Sequence, residues 1–338
     1  MGFQVRELQR GELDAALGCF QAAFGIDDAS VTVVRNSLVN DHYFLPERVR
    51  VGLLDGNVVS LVVILHRAAY VASEVVSVAG ITGVATHPAF QGRGFGARVM
   101  EDAIRLIRQR RYHLSLLTTS APGFFQRFGF REVPKFNGYE CPATALARLS
   151  APDACEIGKL DYARLWPALA AVYSQYSRGR MGMQMRDMRF WETWPRRGTF
   201  PYGFSESLDA TGLVGVSGGQ LVAYLAAHCP PERRELVVTD LAHLSGHVQA
   251  GAALLSKAVQ DFVSGGGQRV IIQLGGDAPL VKLLEAARVP LNVDAGPGLM
   301  VLFPDRDWLR SVGLRSAEEA IEHLFRSRTP ALWTRDGF

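Results

Sequence analysis

The stretch Gly83-Val-Ala-Thr-His-Pro-Ala-Phe-Gln-Gly-Arg-Gly-Phe-Gly-Ala-Arg98 decides how the chain is read. It opens as a strand, stops at Pro88, turns through Gly92, Gly94 and Gly96 and continues as a helix. Those glycines leave no Cβ between the backbone amides and a ligand, and the amides point outward at the positive end of a helix dipole. Such a turn is a site for an anion, most often a phosphate. Arg93 adds a fixed charge beside it and Gln91 a neutral donor.

The surroundings narrow the choice of phosphate ligand. A P-loop would end in Gly-Lys-Ser/Thr, which is absent, and a dinucleotide fold would need Gly-x-Gly-x-x-Gly with an acidic residue on the next strand. The order Gln-x-x-Gly-x-Gly after a Val-x-Thr-x-Pro strand end instead resembles motif A of the GNAT superfamily of N-acetyltransferases. In that superfamily the loop holds the pyrophosphate of acetyl-coenzyme A. The resemblance implies contacts from Gln91, Gly92, Arg93, Gly94, Phe95, Gly96 and Ala97, with Val84, Ala85 and Thr86 of the preceding strand beside the pantetheine arm. Gly80 and Gly83 lie inside that strand, where a glycine marks a bulge, a close approach or simple relief of twist.

Bulk properties set the frame. The chain has 338 residues, 48% hydrophobic and 20% charged, a length that favours two domains over one core. A net charge of +3 is too small to argue for nucleic acid. Cys19, Cys141, Cys155 and Cys229 are far apart, so neither a disulfide framework nor a zinc site is expected. Val58 to Leu65, the most apolar stretch, is too short to span a bilayer, and no signal peptide opens the chain. A cytoplasmic protein without metal, nucleic-acid or membrane partners is the expectation, and a homo-oligomer is left open.

In the first half, Phe3 to Leu8 alternates as a strand, and Glu12 to Phe24 carries apolar residues at helical spacing. Arg48 to Leu54 and Val58 to Leu65 form a hairpin through Asp55-Gly56-Asn57, leading into a strand from Glu74 to Thr86. After the glycine turn, the helix buries Phe95, Val99, Ala103, Leu106 and Ile107, and His113 to Thr119 is a strand. The segment Ser120-Ala-Pro-Gly-Phe-Phe-Gln-Arg-Phe-Gly-Phe130 resembles motif B of the same superfamily, Phe-Tyr-x-x-x-Gly-Phe. The tyrosine that commonly returns a proton to the departing thiolate falls on Phe125, which has no hydroxyl. Ser120 or water then takes over, or the thiolate leaves unaided; Ser120 alternatively caps the following helix.

After Pro142 the pattern restarts, with helices at Asp161 to Tyr176 and around Arg186 to Trp194, and a hairpin of Leu213 to Val216 and Gln220 to His228. A strand (Glu235 to Leu244), a helix (Val248 to Val263), a strand (Arg269 to Leu274), a helix (Pro279 to Ala287) and a last strand (Leu299 to Phe303) follow. The order repeats the first half, which predicts an α/β fold with mixed sheets in two tandem copies. The second copy is degenerate: Gln249-Ala-Gly-Ala-Ala-Leu254 stands where the first has its anion loop. Expected boundaries are 1–147 and 148–315, with a helix and tail at 316–338. The aromatics Trp166, Tyr173, Tyr176, Phe190, Trp191 and Trp194 either line a pocket or, more commonly, form core.

This layout is similar to the enhanced intracellular survival family of acetyltransferases. It departs from that family in lacking the third, sterol-carrier-like domain, because too few residues follow Phe303. In that family a carboxy-terminal phenylalanine enters the active site and its carboxylate is the general base, which the resemblance carries to Phe338. No carboxylate lies between Val75 and Thr86, where many superfamily members place a glutamate. By the same analogy Phe24 and Asp27 border the acceptor amine. The implied activity is transfer of an acetyl group to a primary amine of a small molecule or a lysine; a non-catalytic coenzyme sensor and a longer-chain acyl donor are the alternatives.

Overall fold

The computed structural model describes residues 2–41, 43–71, 74–149, 154–193, 210–229, 235–295 and 298–325. The first half opens with strand β1 (Phe3–Glu7), helices α1 (Leu13–Phe24) and α2 (Asp28–Val39), and the hairpin of β2 (Val49–Leu54) and β3 (Asn57–Val71). Asp55 and Gly56 turn that hairpin with φ of 51° and 84°, the mirror-image turn whose twist matches the strands. Next come β4 (Glu74–Thr86), α3 (Phe95–Gln109), β5 (Leu114–Thr119), α4 (Pro122–Gln126), β6 (Arg131–Glu132), β7 (Gly138–Pro142) and α5 (Ala143–Ala147).

The second half holds β8 (Glu156–Lys159), α6 (Tyr162–Ser177), α7 (Met188–Thr193) and the hairpin of β9 (Ala210–Ser217) and β10 (Gln220–His228). It continues through β11 (Glu235–His243), α8 (Val248–Ser264), β12 (Arg269–Ile272), α9 (Pro279–Ala286), β13 (Asn292–Asp294) and β14 (Gly298–Leu302), and closes with α10 (Arg306–Ser311) and α11 (Ala317–Phe325).

Two seven-stranded mixed sheets result, ordered β1-β2-β3-β4-β5-β14-β6 and β8-β9-β10-β11-β12-β7-β13. The orders correspond position by position, as a repeated unit demands. The sixth position in each is filled from the other half of the chain: β14 lies antiparallel to β5, and β7 lies antiparallel to β12. This departs from the expected division. Gly138–Pro142 lies in the second sheet although it precedes residue 147, and Gly298–Leu302, expected to end the second copy, lies in the first sheet. Helices α10 and α11 also belong with the first sheet, where Trp308, Leu309, Leu324 and Phe325 pack on Val76, Val78, Leu114 and Val301. Sequence order cannot reveal such an exchange, because either edge offers the same unpaired backbone groups to an incoming strand.

The aromatics of α6 and α7 are core. Trp191, Phe190, Tyr173 and Tyr176 are buried in the second sheet's cluster, while Trp194 lies outside the described residues. The two units are joined along β3, whose pairing with β2 ends at Val63. Beyond it the strand edge takes a segment from the other unit, with Tyr70 donating to the Met183 carbonyl, Gly182 donating to Tyr70 and Met185 donating to Ala68, all at 2.8–2.9 Å. Tyr43 reaches the same way, its hydroxyl donating to Asp187 at 2.8 Å.

This seam carries a buried cation. Arg67 on β3 donates to Asp41 at 2.5 Å, and their side chains are 3% and 4% exposed. Beside them His66 lies 3.3 Å from the Tyr112 hydroxyl. Burial, aided by the charges of Arg48 and Arg67, lowers the His66 pKa from 6.5 to about 4, so the imidazole is neutral in the fold. Its unfolded counterpart takes up a proton first. The stability this residue confers is therefore complete above about pH 6.5 and declines as pH falls from there toward 4. Urea midpoints measured across that window should drop less in His66→Gln than in the wild type.

Candidate active site

The site begins where two parallel strands part. β4 and β5 pair only from Val78 with Leu114 to Gly80 with Leu116, yet β4 runs on to Thr86 and β5 to Thr119. β5 stays attached to β14 on its far side, through Leu117 with Met300 and Thr119 with Gly298. β4 instead bends away at a bulge: Val63 faces Thr82 and Leu61 faces Ala85, leaving Gly83 and Val84 opposite Val62. Gly83 takes φ +58°, which glycine adopts without strain. Gly80 lies in regular pairing and only marks the last rung. The wedge between the strands exposes the edge of β4 from Ile81 to Thr86, which has no strand partner on that side among the described residues.

The wedge leads into a cleft of about 990 Å³ bounded by the ends of β4 and β5, the glycine turn and α4. It brings together Val84, Ala85, Thr86, Gln91, Gly92, Gly94, Phe95, Gly96, Ala97, Ser120 and Phe125, along with Phe24 at its rim. The glycines divide the work. Gly92 and Gly94 have φ of +76° and +77°, and a Cβ on either would meet nothing within 4 Å, so both face open space. A Cβ on Gly96 would lie 2.9 Å from the Thr86 hydroxyl, so this glycine lets α3 close on β4. That hydroxyl bonds Ser60 at 2.9 Å, which leaves the Thr86 backbone as its part nearest a ligand.

Helix α3 starts at Gly94 with no side-chain cap and no acidic residue in its first turn. The first amides of a helix have no carbonyl within it to bond, so this end offers unused donors to an anion. Gln91 donates its side-chain amide to the Thr86 carbonyl at 3.1 Å and so ties the turn to the strand. Arg93 does not border the cleft; its guanidinium lies 5.5 Å from the Phe90 ring. The cation that does border it is Arg127, stacked 4.9 Å from the Phe124 ring on α4. Sequence reasoning missed Arg127. Only the approach of α4 to the turn makes it part of the site, and a lone arginine on a short helix carries no motif.

Thr119 accepts from the Ala121 amide at 2.9 Å, so the turn before α4 is held by Thr119, and Ser120 keeps its hydroxyl for the cleft. Phe125 is 7% exposed and packs edge-on to Phe124 and Phe130, a hydrocarbon ring in the place of the expected hydroxyl. Phe24 is 54% exposed and lies against Phe20, which also lines the cleft. Asp27 does not reach it: its carboxylate accepts from the Ser30 amide at 2.8 Å and caps α2, and hydrogen bonding to Ser30 holds its pKa below the usual range. No carboxylate or imidazole borders the cleft among the described residues. Phe338 lies outside them.

The second sheet shows the same wedge closed. β11 pairs with β12 only as far as Val238 with Ile272, but the continuation of β11 is packed with side chains. Arg186 donates to Asp240 at 2.5 Å, Tyr224 donates to the same oxygen at 3.2 Å, and Tyr176 lies across His243. At Gly251, a Cβ would stand 3.2 Å from Leu241, so the start of α8 packs on the strand and leaves no cradle.

Uncapped amides beside open space, next to a free strand edge, fit the diphosphate and amide-bearing arm of an acyl-coenzyme A. Residues 4–133 match the family described as acetyltransferase (GNAT) domain. Residues 4–133 are a GNAT acetyltransferase domain. The GNAT fold performs acyl transfer from acyl-coenzyme A, and this one holds the open wedge. No curated protein sequence matches the chain. Among solved structures, a GCN5-related N-acetyltransferase from Anabaena variabilis is similar over 90% of this chain and 73% of its own, at 14% identity and a TM-score of 0.71. Another from Kribbella flavida gives 89%, 70%, 17% and 0.66 in the same order. Eis1 from Mycobacterium abscessus gives 92%, 76%, 18% and 0.65. At these identities the likeness is one of fold, and it extends through both sheets beyond the GNAT domain. Among the described residues, no group of three His, Cys, Asp or Glu side chains is placed to hold a metal, and no helix is long and apolar enough to cross a membrane.

Proposed function

We propose that the protein is an acetyl-coenzyme A dependent N-acetyltransferase acting on a primary amine of a small molecule or a lysine side chain. The observation that carries this reading is the open turn at Gly92 and Gly94, its amides uncapped at the mouth of the β4–β5 wedge. On this reading the turn from Gln91 to Ala97 holds the diphosphate, with Arg127 adding the charge that Arg93 was expected to supply. The free edge of β4 at Val84 and Thr86 pairs with the pantetheine amides as a short extra strand would. The amine enters past Phe24 and Phe20.

An ammonium must lose a proton before its nitrogen attacks the thioester carbonyl carbon. The cleft residues described here supply no base, which favours the terminal carboxylate of Phe338 in that role. Attack forms the carbon–nitrogen bond, collapse breaks the carbon–sulfur bond, and the thiolate takes a proton. Ser120 is the hydroxyl available to give it. A thiol with pKa near about 8.5 needs little help in leaving, so Ser120→Ala should lower turnover only severalfold.

The test is release of free thiol from acetyl-coenzyme A over a panel of polyamines, aminoglycosides and lysine peptides. Removal of Phe338 should reduce turnover by about 10²- to 10⁴-fold, the range of general acid–base catalysis, and leave coenzyme affinity nearly intact. Coenzyme binding without thiol release on any amine would refute the catalytic assignment.

A further inference from the structure

A second large cleft, of about 1000 Å³, lies at the other end of α3 and has no part in the chemistry above. Its walls carry six arginines and no lysine: Arg108, Arg111, Arg131, Arg306, Arg310 and Arg315. They come from four separate places, namely the last turn of α3 with the residues just after it, strand β6, helix α10 and the residues before α11. The basic run from Arg105 to Arg111 supplies two of the six, and the fold brings the other four to them from distant segments.

The acidic residues of the cleft are already engaged. Asp305 accepts from the Asp307 and Trp308 amides as the cap of α10. Asp307 pairs with Arg310 at 3.2 Å, and Glu318 with Arg131 at 3.7 Å. Arg108, Arg111, Arg306 and Arg315 are left without a carboxylate partner among the described residues. Like charges gathered around one cavity repel, and a polyanion relieves that repulsion.

Arg111 supplies an independent observation. It follows the end of α3 with φ +54°, in the left-handed region, where helices most often place glycine. Its amide donates to the Arg108 carbonyl, and the next amide, of Tyr112, donates to that of Ile107. The chain thus holds an arginine in strained backbone at the edge of a cleft full of arginines. Arg288 ends α9 in the same way, with φ +57°, so the geometry is one this chain uses to stop a helix, and at Arg111 it sets the guanidinium at the cleft's edge.

We propose that this cleft binds a multiply charged organic phosphate at a site separate from the coenzyme wedge. Guanidinium forks match phosphate oxygens in pairs. Phe128, Leu302, Phe303 and Leu314 give the cleft an apolar side for the organic part. The volume suits a ligand the size of a nucleotide. Helix α3 has 15 residues, so about 20 Å separate this cleft from the glycine turn.

The experiment is calorimetry on the full chain saturated with coenzyme A, with ATP and inorganic tripolyphosphate as probes. Both should bind, ATP more tightly, and both more weakly as salt rises. The double variant Arg108→Ala, Arg315→Ala should weaken both by about tenfold or more. Arg111→Gly is the sharper variant: it should weaken binding while raising the thermal midpoint, a combination that damage to the fold cannot produce. No binding in the coenzyme-saturated protein, displacement of the probes by coenzyme A, or affinities unchanged in the variants would overturn the proposal. So would binding of an RNA oligonucleotide or an acidic peptide in place of ATP.

Discussion

Gly94→Val is expected to lower coenzyme A affinity by about 100-fold or more. Gly94 has φ +77° and accepts the first bond of α3, from the Arg98 amide at 3.2 Å. A Cβ there meets no protein atom within 4 Å, so the damage is not a clash with the fold. It comes from two other sources. A branched side chain in left-handed backbone costs about 1–2 kcal/mol and favours reorientation of the turn. The added carbons also stand over the amides of the first helical turn, and each bond to a charged phosphate oxygen is worth about 1.5–3 kcal/mol. Losing two such bonds accounts for the predicted factor. Gly11, with φ +90° and equally open surroundings, is the control: Gly11→Val should carry the same backbone cost and leave coenzyme binding unchanged. Calorimetry on both variants separates strain from loss of the site, and unchanged affinity in Gly94→Val would remove the basis of the functional assignment.

Arg67→Ala is expected to destabilise the protein by about 3–5 kcal/mol, the usual result of stranding one member of a buried ion pair. Asp41 would stay behind, 4% exposed, after losing the guanidinium 2.5 Å away. The loss should show as a large fall in the urea midpoint. The double variant Arg67→Met, Asp41→Leu should recover most of it or exceed the wild type, because two apolar side chains avoid the desolvation that the ions suffer. Failure of the double variant to recover would mean that the pair is worth more than its desolvation cost at this seam. Because Arg67 is on the half of β3 that receives residues 182–185 of the other unit, the single variant should also loosen the junction, readable as faster amide exchange at Tyr70, Gly182 and Met185.

Most elements were legible in the sequence because their signals are local. Asp55-Gly56 has the chemistry of a two-residue hairpin turn and forms one. The apolar spacing of Val99, Ala103 and Ile107 becomes the buried face of α3. Illegible were features in which two distant segments decide together. β3 was expected to end at Leu65 because His66 and Arg67 follow, yet it runs to Val71, since Asp41 and Tyr112 meet those side chains inside the fold. Asp27 read as an acceptor contact and is a helix cap, a role local to its own turn.

What the sequence by itself determined is the open glycine turn and the repeat. A turn needing two left-handed residues selects glycine at 92 and 94, and hydrophobic periodicity writes the same order of strands and helices twice. What only the tertiary structure decided is which strand completes which sheet, which arginine faces the cleft between β4 and β5, and the gathering of six arginines at the far end of α3. Backbone hydrogen bonds are the same for every strand, and a charge acts through space without regard to chain separation. Such choices are made by the summed packing of the whole molecule, and no window of sequence contains them.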